Sequence, residues 1–241
     1  MADVEAFLAA QAVKPQPAAA ALPVASGQLV KLSAADRGML RSVQWHRDQA
    51  ATAYLEIEYD PKPWDDYAAE YAAAHRLISS PLLPLMIYQL AQVAAVDPKL
   101  NSTIVDGNRF AYDPVNPGIT IQVGETLYLA VIRDAAVLSA GEFLKAFNRL
   151  HKRAMGHKLE PNELEGATVG FSSMARWPVR RHIPILPPFV SLMCAHAMPP
   201  GGPGVLGATY DHRVLSGADT YAILSQLIQP PKNRPQVQVD I

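Results

Sequence analysis

Thr209-Tyr210-Asp211-His212-Arg213-Val214-Leu215-Ser216-Gly217 sets one histidine between an apolar run and a helix start. Upstream, Val205-Leu206-Gly207-Ala208-Thr209-Tyr210 reads as a short strand. Downstream, the apolar residues Ala218, Tyr221, Ala222, Leu224, Leu227 and Ile228 recur at helical spacing. His212 therefore falls at a strand-to-helix turn, a place where an imidazole can act as a base. Ser216, with Asp219 three residues on, has the spacing of a capping box that satisfies the first free amides of that helix. A lone histidine is more often a satisfied structural residue, so the company it keeps has to decide.

Outward from this stretch, the rest of the chain alternates helices and strands. Helices are expected over 34–48, around 64–75, over 81–95 and over 139–155. Strands are expected over 53–59, 118–123, 127–132, 168–172, 183–186 and 190–196, with two short strands around a turn in 101–112. Trp64 and Tyr67 to Tyr71 look like the packing face of their helix. Mixed elements with hairpins predict an α/β (α+β) sandwich holding a mixed sheet. Residues 1–27, rich in alanine and proline, cannot bury enough surface to fold and read as a linker or arm, leaving 28–241 as one domain.

With 241 residues, 49% of them hydrophobic, the chain can bury one large core. A net charge of −1, with lysines and arginines scattered along the chain, argues against nucleic-acid binding. The single cysteine, Cys194, sits in an apolar strand pattern and reads as core. The longest apolar stretch, 81–96, is interrupted by Pro84 and Gln89 and is short for a bilayer, and no charged leader opens the chain. A cytoplasmic protein without a membrane segment is expected, or a mitochondrial-matrix protein if the source is eukaryotic. His46, His75, His151, His157 and His196 show no paired ligand spacing, so no metal is expected. Gly201-Gly202-Pro203-Gly204 lacks the lysine and hydroxyl of a phosphate loop and reads as a turn.

The run from Tyr210 to Asp219 resembles the active-site signature Asp-His-Arg-x-x-Asp-Gly of the dihydrolipoyl acyltransferases of 2-oxo acid dehydrogenase complexes, which share a fold with chloramphenicol acetyltransferase. The similarity extends from about Leu32 to Ile228. Asp97-Pro98-Lys99-Leu100-Asn101 resembles the family's Pro-x-x-Asn turn, Val115-Asn116-Pro117-Gly118-Ile119 its Val-Asn-x-Gly-Ile segment, and Val131-Ile132-Arg133-Asp134-Ala135 its Val-Ile-Arg-Asp-Ala segment. Residues 158–174 resemble the stretch whose first serine, here Ser172, donates a hydrogen bond to the tetrahedral intermediate. Two departures stand close to the chemistry. Ser216 replaces the second aspartate of the signature, and Ile185-Leu186-Pro187-Pro188 lacks the asparagine of the family's Ile-Asn-Pro-Pro.

The resemblance implies a chloramphenicol acetyltransferase-like fold assembled as a homotrimer, possibly within a larger core, with the histidine of one subunit facing a channel walled by its neighbour. It implies acyl transfer between a dihydrolipoyl thioester and coenzyme A through a ternary complex, with His212 as base and Ser172 as oxyanion donor. Coenzyme A enters as substrate, and the lipoyl group arrives on another domain or protein, with other 2-oxo acid dehydrogenase subunits as partners. Asp211, Ser216, Gly217 and Arg41 would support the site. Arg41 is the cation expected to face position 216, and Asp211 or Asp219 would neutralise it in place of the missing aspartate. Arg176, Arg180 and Arg181, with His182, form a basic cluster that could meet coenzyme A phosphates or simply face solvent. Two further readings stay open: a non-catalytic core subunit that keeps the scaffold, and an acyltransferase turned to another small acceptor. The tail 235–241 offers only a weak apolar anchor for assembly beyond a trimer.

Overall fold

The computed structural model describes residues 25–231. The expected linker 1–27 falls almost wholly outside them, as does the tail 235–241. From residue 33 onward the chain forms helix α1 (Ala34–Gln49), strand β1 (Thr52–Tyr59), α2 (Lys62–Ala74), α3 (Leu82–Val96), β2 (Ser102–Val105), β3 (Asn108–Ala111), β4 (Pro117–Val123), β5 (Thr126–Val131), α4 (Ala140–Met155), β6 (Val169–Ser173), β7 (Leu192–Ala197), β8 (Gly204–Asp211) and α5 (Gly217–Leu227). Three helices start where a serine precedes an acid by three residues. Ser33 with Asp36, Ser139 with Glu142 and Ser216 with Asp219 each close a reciprocal capping box. The β2–β3 hairpin turns through Asp106 and Gly107, both at positive φ, the geometry that matches the twist of two paired strands.

Six strands form one mixed sheet in the order β1-β8-β7-β6-β4-β5. β6 runs parallel to both β7 and β4, and the other pairings are antiparallel. Alternation assigns each side chain to a face. Leu55, Ile57, Leu206, Ala208, Cys194, Phe171, Ile119 and Ile121 turn to one face and join the main core with residues of α3, α4 and α5. Cys194 is buried there, as expected, and burial pushes its thiol pKa up. Trp64, Ala68 and Tyr71 bury one side of α2, and the Trp64 indole donates to the Leu227 carbonyl at 2.9 Å. Among the described residues no helix is long and apolar enough to cross a membrane.

The second face carries two rows read from the register. One runs Tyr54, Thr209, Met193, Gly170, Gly118 and Val131, and the other Glu56, Gly207, Ala195, Ser172, Thr120 and Leu129. Glycines fall where larger neighbours lean across. A Cβ at Gly170 would stand 2.1 Å from the Met193 sulfur, and one at Gly207 would stand 2.2 Å from the Tyr54 hydroxyl. The segment 174–190 reaches this face without regular structure, so the strand expected over 183–186 does not form. Pro184, Pro187 and Pro188 remove the amides a ladder needs. The Leu186 amide donates instead to His46 Nδ1 on α1, at 3.0 Å.

Candidate active site

β8 delivers His212 to its strand-to-helix turn. The His212 amide donates to the Ala51 carbonyl at 2.7 Å, the ring leans on Tyr210 at 5.5 Å between centroids, and the residue is exposed. Backbone anchoring with an open side chain leaves the imidazole free to reach a reactant. Beneath it, the buried Asp211 carboxylate takes Arg213 Nε at 2.9 Å and Nη2 at 2.5 Å, together with the Arg213 amide at 3.0 Å. This pairing, chiefly its hydrogen bonds, raises the Arg213 pKa. A charge-assisted fork of this kind is a strong local clamp, and it holds the turn on both sides of His212.

Ser216 caps α5 by accepting from the Asp219 amide, while its own amide and hydroxyl both donate to Asp219 Oδ2 at 2.7 Å. Lys99 pairs with the same carboxylate. With Lys99 as the larger cause and Ser216 next, the Asp219 pKa falls to about 2. Neither Asp211 nor Asp219 therefore neutralises Arg41, because each has a nearer cation. Arg41 lies exposed on α1 and forms no ion pair among the described residues of the single chain. Gly217 opens α5, and a Cβ there would meet the Tyr210 hydroxyl at an ordinary 3.6 Å, so packing does not demand glycine.

Ser172 lies on the second face of β6, buried except for 8% of its surface. Thr120, its neighbour across the ladder, donates to the Ser172 oxygen at 3.1 Å, and His182 Nε2 stands 3.1 Å from the same oxygen. Neither Thr120 nor the contact with His182 carries a local sequence signal. Thr120 shares a row with Ser172 only once the parallel register is known, and His182 arrives ten residues later on an irregular segment.

The register does not bring Ser172 and His212 together in one chain. Ser172 pairs with Ala195, which pairs with Gly207, five residues before His212. Two strand spacings of ~4.8 Å and five residues of ~3.3 Å put the two Cα positions about 19 Å apart. The arginines of 174–190 also diverge. Arg181 pairs with Glu56 on β1 at 2.9 Å, Arg176 lies near enough to His151 of α4 to help burial lower that histidine's pKa, and Arg180 is exposed. Leu186, which stands at the position of the family's asparagine, is fully buried. Among the described residues no group of three or more His, Cys, Asp or Glu is placed to hold a metal.

Residues 25–199 match the family model of the 2-oxoacid dehydrogenases acyltransferase catalytic domain. The chain belongs to this family. The match ends before the His212 turn, but similarity to the dihydrolipoyllysine-residue acetyltransferase component of the Zymomonas mobilis pyruvate dehydrogenase complex covers 95% of the chain, at 21% identity. A dihydrolipoyllysine-residue succinyltransferase component from Bartonella vinsonii subsp. berkhoffii is 26% identical over 60% of the chain. This acyltransferase domain spans 58% and 38% of those two proteins. Its fold is that of the Azotobacter vinelandii dihydrolipoamide acetyltransferase, with a TM-score of 0.73 at 18% identity, covering 90% of this chain and 96% of that one. Chloramphenicol acetyltransferase shares it at a TM-score of 0.53 and 13% identity, covering 83% of this chain and 97% of that one. The expected chloramphenicol acetyltransferase-like mixed sheet is thus present.

Proposed function

We propose that this chain transfers an acyl group between a dihydrolipoyl thioester and coenzyme A, in a site assembled from two copies of the chain. The observation that carries the reading is the His212 turn: an open imidazole on a backbone clamped by Ala51 and by the Asp211–Arg213 pair. His212 takes the proton of the coenzyme A thiol as the sulfur attacks the thioester carbonyl. The oxyanion of the tetrahedral intermediate receives a hydrogen bond from Ser172. When the carbon–sulfur bond to the lipoyl group breaks, the imidazolium returns the proton to the departing dihydrolipoyl thiolate. The family's relatives include acetyl and succinyl transferases, and the size of the acyl group is left to the assembled pocket.

A separation of about 19 Å along the sheet supports the supply of His212 and Ser172 by different copies. α1 supports such an assembly, since none of its residues is buried and it exposes Met39, Leu40 and Val43. We take the assembly to be a trimer in the cytoplasm, built into a larger core and served by a lipoyl-bearing domain. The Arg176 and Arg180 side chains are the cations left to meet coenzyme A phosphates.

A neutral Ser216 is compatible with this chemistry. The Azotobacter enzyme was solved to define the roles of a serine, a histidine and an asparagine in catalysis, and its histidine and asparagine stand four residues apart, as His212 and Ser216 do. The buried Leu186 favours the second reading, a core subunit that keeps the scaffold without turnover.

The test is transfer of acetyl and succinyl groups from S-acyl-dihydrolipoamide to coenzyme A. His212→Ala and Ser172→Ala should each lose roughly a hundredfold or more in kcat. Chains bearing one substitution each, mixed equally before assembly, should regain about a quarter of the intact sites, because each site needs one group from each of two copies. Turnover that survives His212→Ala refutes the base. No turnover by the native chain with any donor favours the scaffold.

A further inference from the structure

Ser172 has a histidine beside it as well as the one proposed to act across the assembly. We propose that His182 is a positioning residue which, with Thr120, donates into the Ser172 oxygen and leaves the serine proton directed at the developing oxyanion. The inference rests on the reading of Ser172 as the oxyanion donor.

A serine hydroxyl has one proton and two lone pairs. Thr120 fills one lone pair, its hydroxyl donating at 3.1 Å. His182 Nε2 stands 3.1 Å from the same oxygen, and whether it gives or takes a proton there depends on its tautomer. The far nitrogen decides. His182 Nδ1 is buried and has no hydrogen-bond partner. A proton on Nδ1 would bury an unsatisfied donor, which costs about 1–3 kcal/mol. A bare Nδ1 leaves only an unfilled acceptor, a less rare condition in protein interiors than an orphaned donor. Burial also lowers the His182 pKa, which keeps the ring neutral at neutral pH. The proton therefore sits on Nε2 and donates to Ser172.

With both lone pairs engaged, the serine can only donate, and only away from Thr120 and His182. That is the state an oxyanion donor needs before charge develops, since a group already oriented has no reorganisation to undergo at the moment of reaction. His182 is itself held in place. The Tyr54 hydroxyl lies 3.3 Å from its carbonyl and donates to Glu56 at 2.9 Å, and Glu56 pairs with Arg181 at 2.9 Å. Tyr54 can lean that far because position 207 has no Cβ. Three strands and the 174–190 segment thus converge on the orientation of one hydroxyl.

The test compares His182→Leu, His182→Gln and His182→Asn with the native assembly. A glutamine amide nitrogen reaches the place of Nε2, and an asparagine nitrogen reaches only that of Nδ1. His182→Leu should lower kcat about tenfold at unchanged KM, a share of the roughly hundredfold or more lost with the serine itself. His182→Gln should restore most of the rate, and His182→Asn should not. In a Ser172→Ala background the leucine change should have no further effect. Nitrogen-15 spectroscopy of histidine-labelled native protein, assigned by the signal lost in His182→Gln, should show an Nε2–H tautomer, a readout independent of activity and of how the variants fold. Full activity in His182→Leu, an equal loss with and without the serine, or an Nδ1–H tautomer overturns the inference while leaving acyl transfer standing. If Ser172→Ala alone retains native kcat, the oxyanion reading fails first, and the inference falls with it.

Discussion

His196 should make this fold sensitive to mild acid. It lies on the core face of β7, 1% exposed, with Nε2 2.8 Å from the Tyr59 hydroxyl and Nδ1 3.2 Å from the Ser173 hydroxyl. Both partners are neutral, and Phe171 packs 6.3 Å from the ring. Burial, followed by the nearby His182, lowers the His196 pKa from 6.5 to about 4. A histidine with a depressed folded pKa takes its proton more readily in the unfolded chain, so stability falls as pH drops through 6.5 and the loss is complete below about 4. The full difference is worth roughly 3 kcal/mol, and roughly 2 kcal/mol of it falls between pH 7 and pH 5. Chemical denaturation at fixed protein concentration at these two pH values measures it. The variant His196→Gln, which keeps a polar partner for Tyr59, should flatten the dependence by about 2 kcal/mol. His46 and His151, whose pKa values burial also lowers, add the same sign of slope in both proteins and cancel in the comparison. Equal acid losses in native protein and variant would refute the assignment of the acid-sensitive group to His196.

The clamp under His212 should respond unevenly to removal of its two ends. Arg213→Ala strands a buried carboxylate and should cost about 3–5 kcal/mol, whereas Asp211→Asn frees a half-exposed guanidinium to turn to water and should cost about 1–2 kcal/mol; denaturation midpoints that fall equally would contradict this. Gly207→Ala pushes a methyl into the Tyr54 ring and should destabilise by about 1–3 kcal/mol. The penalty should shrink when Tyr54→Ala is present as well, and strict additivity in a thermal-melt double-mutant cycle would show that the ring and the glycine do not touch.

Local rules made much of the architecture legible. Each serine-to-acid spacing of three opened a helix, and the apolar run before Asp211 became β8 with α5 directly after the turn. The strand expected over 183–186 failed where one rule outweighed another. Its aliphatic residues favour a strand, but three prolines within five positions withhold ladder amides, and a histidine of α1 takes up the amide of Leu186. Charge partners were illegible for a different reason. Asp219 finds Lys99, 120 residues away, and Glu56 finds Arg181, pairings that only the packed chain creates. Within the chain, the two carboxylates expected near Arg41 hold other cations, Asp211 pairing with Arg213 and Asp219 with Lys99.

The pair Ser172-Ser173 shows how far composition falls short of chemistry. The two hydroxyls are adjacent and chemically alike, yet the pleat sends them to opposite faces of β6. Ser173, half-buried at the strand end, turns to the core side and meets His196 and, through it, Tyr59, while its oxygen also accepts from the Ala175 amide. Ser172 turns to the second face, meets Thr120 and His182, and is the more deeply buried of the two. A shift of one residue in the β4–β6 register would exchange their roles and leave the helix-side core with the wrong set of side chains. The parallel pairing of Ile119 with Phe171 prevents it, since both are buried in the main core. The packing that stabilises the sheet is therefore also what selects which serine meets Thr120 and His182.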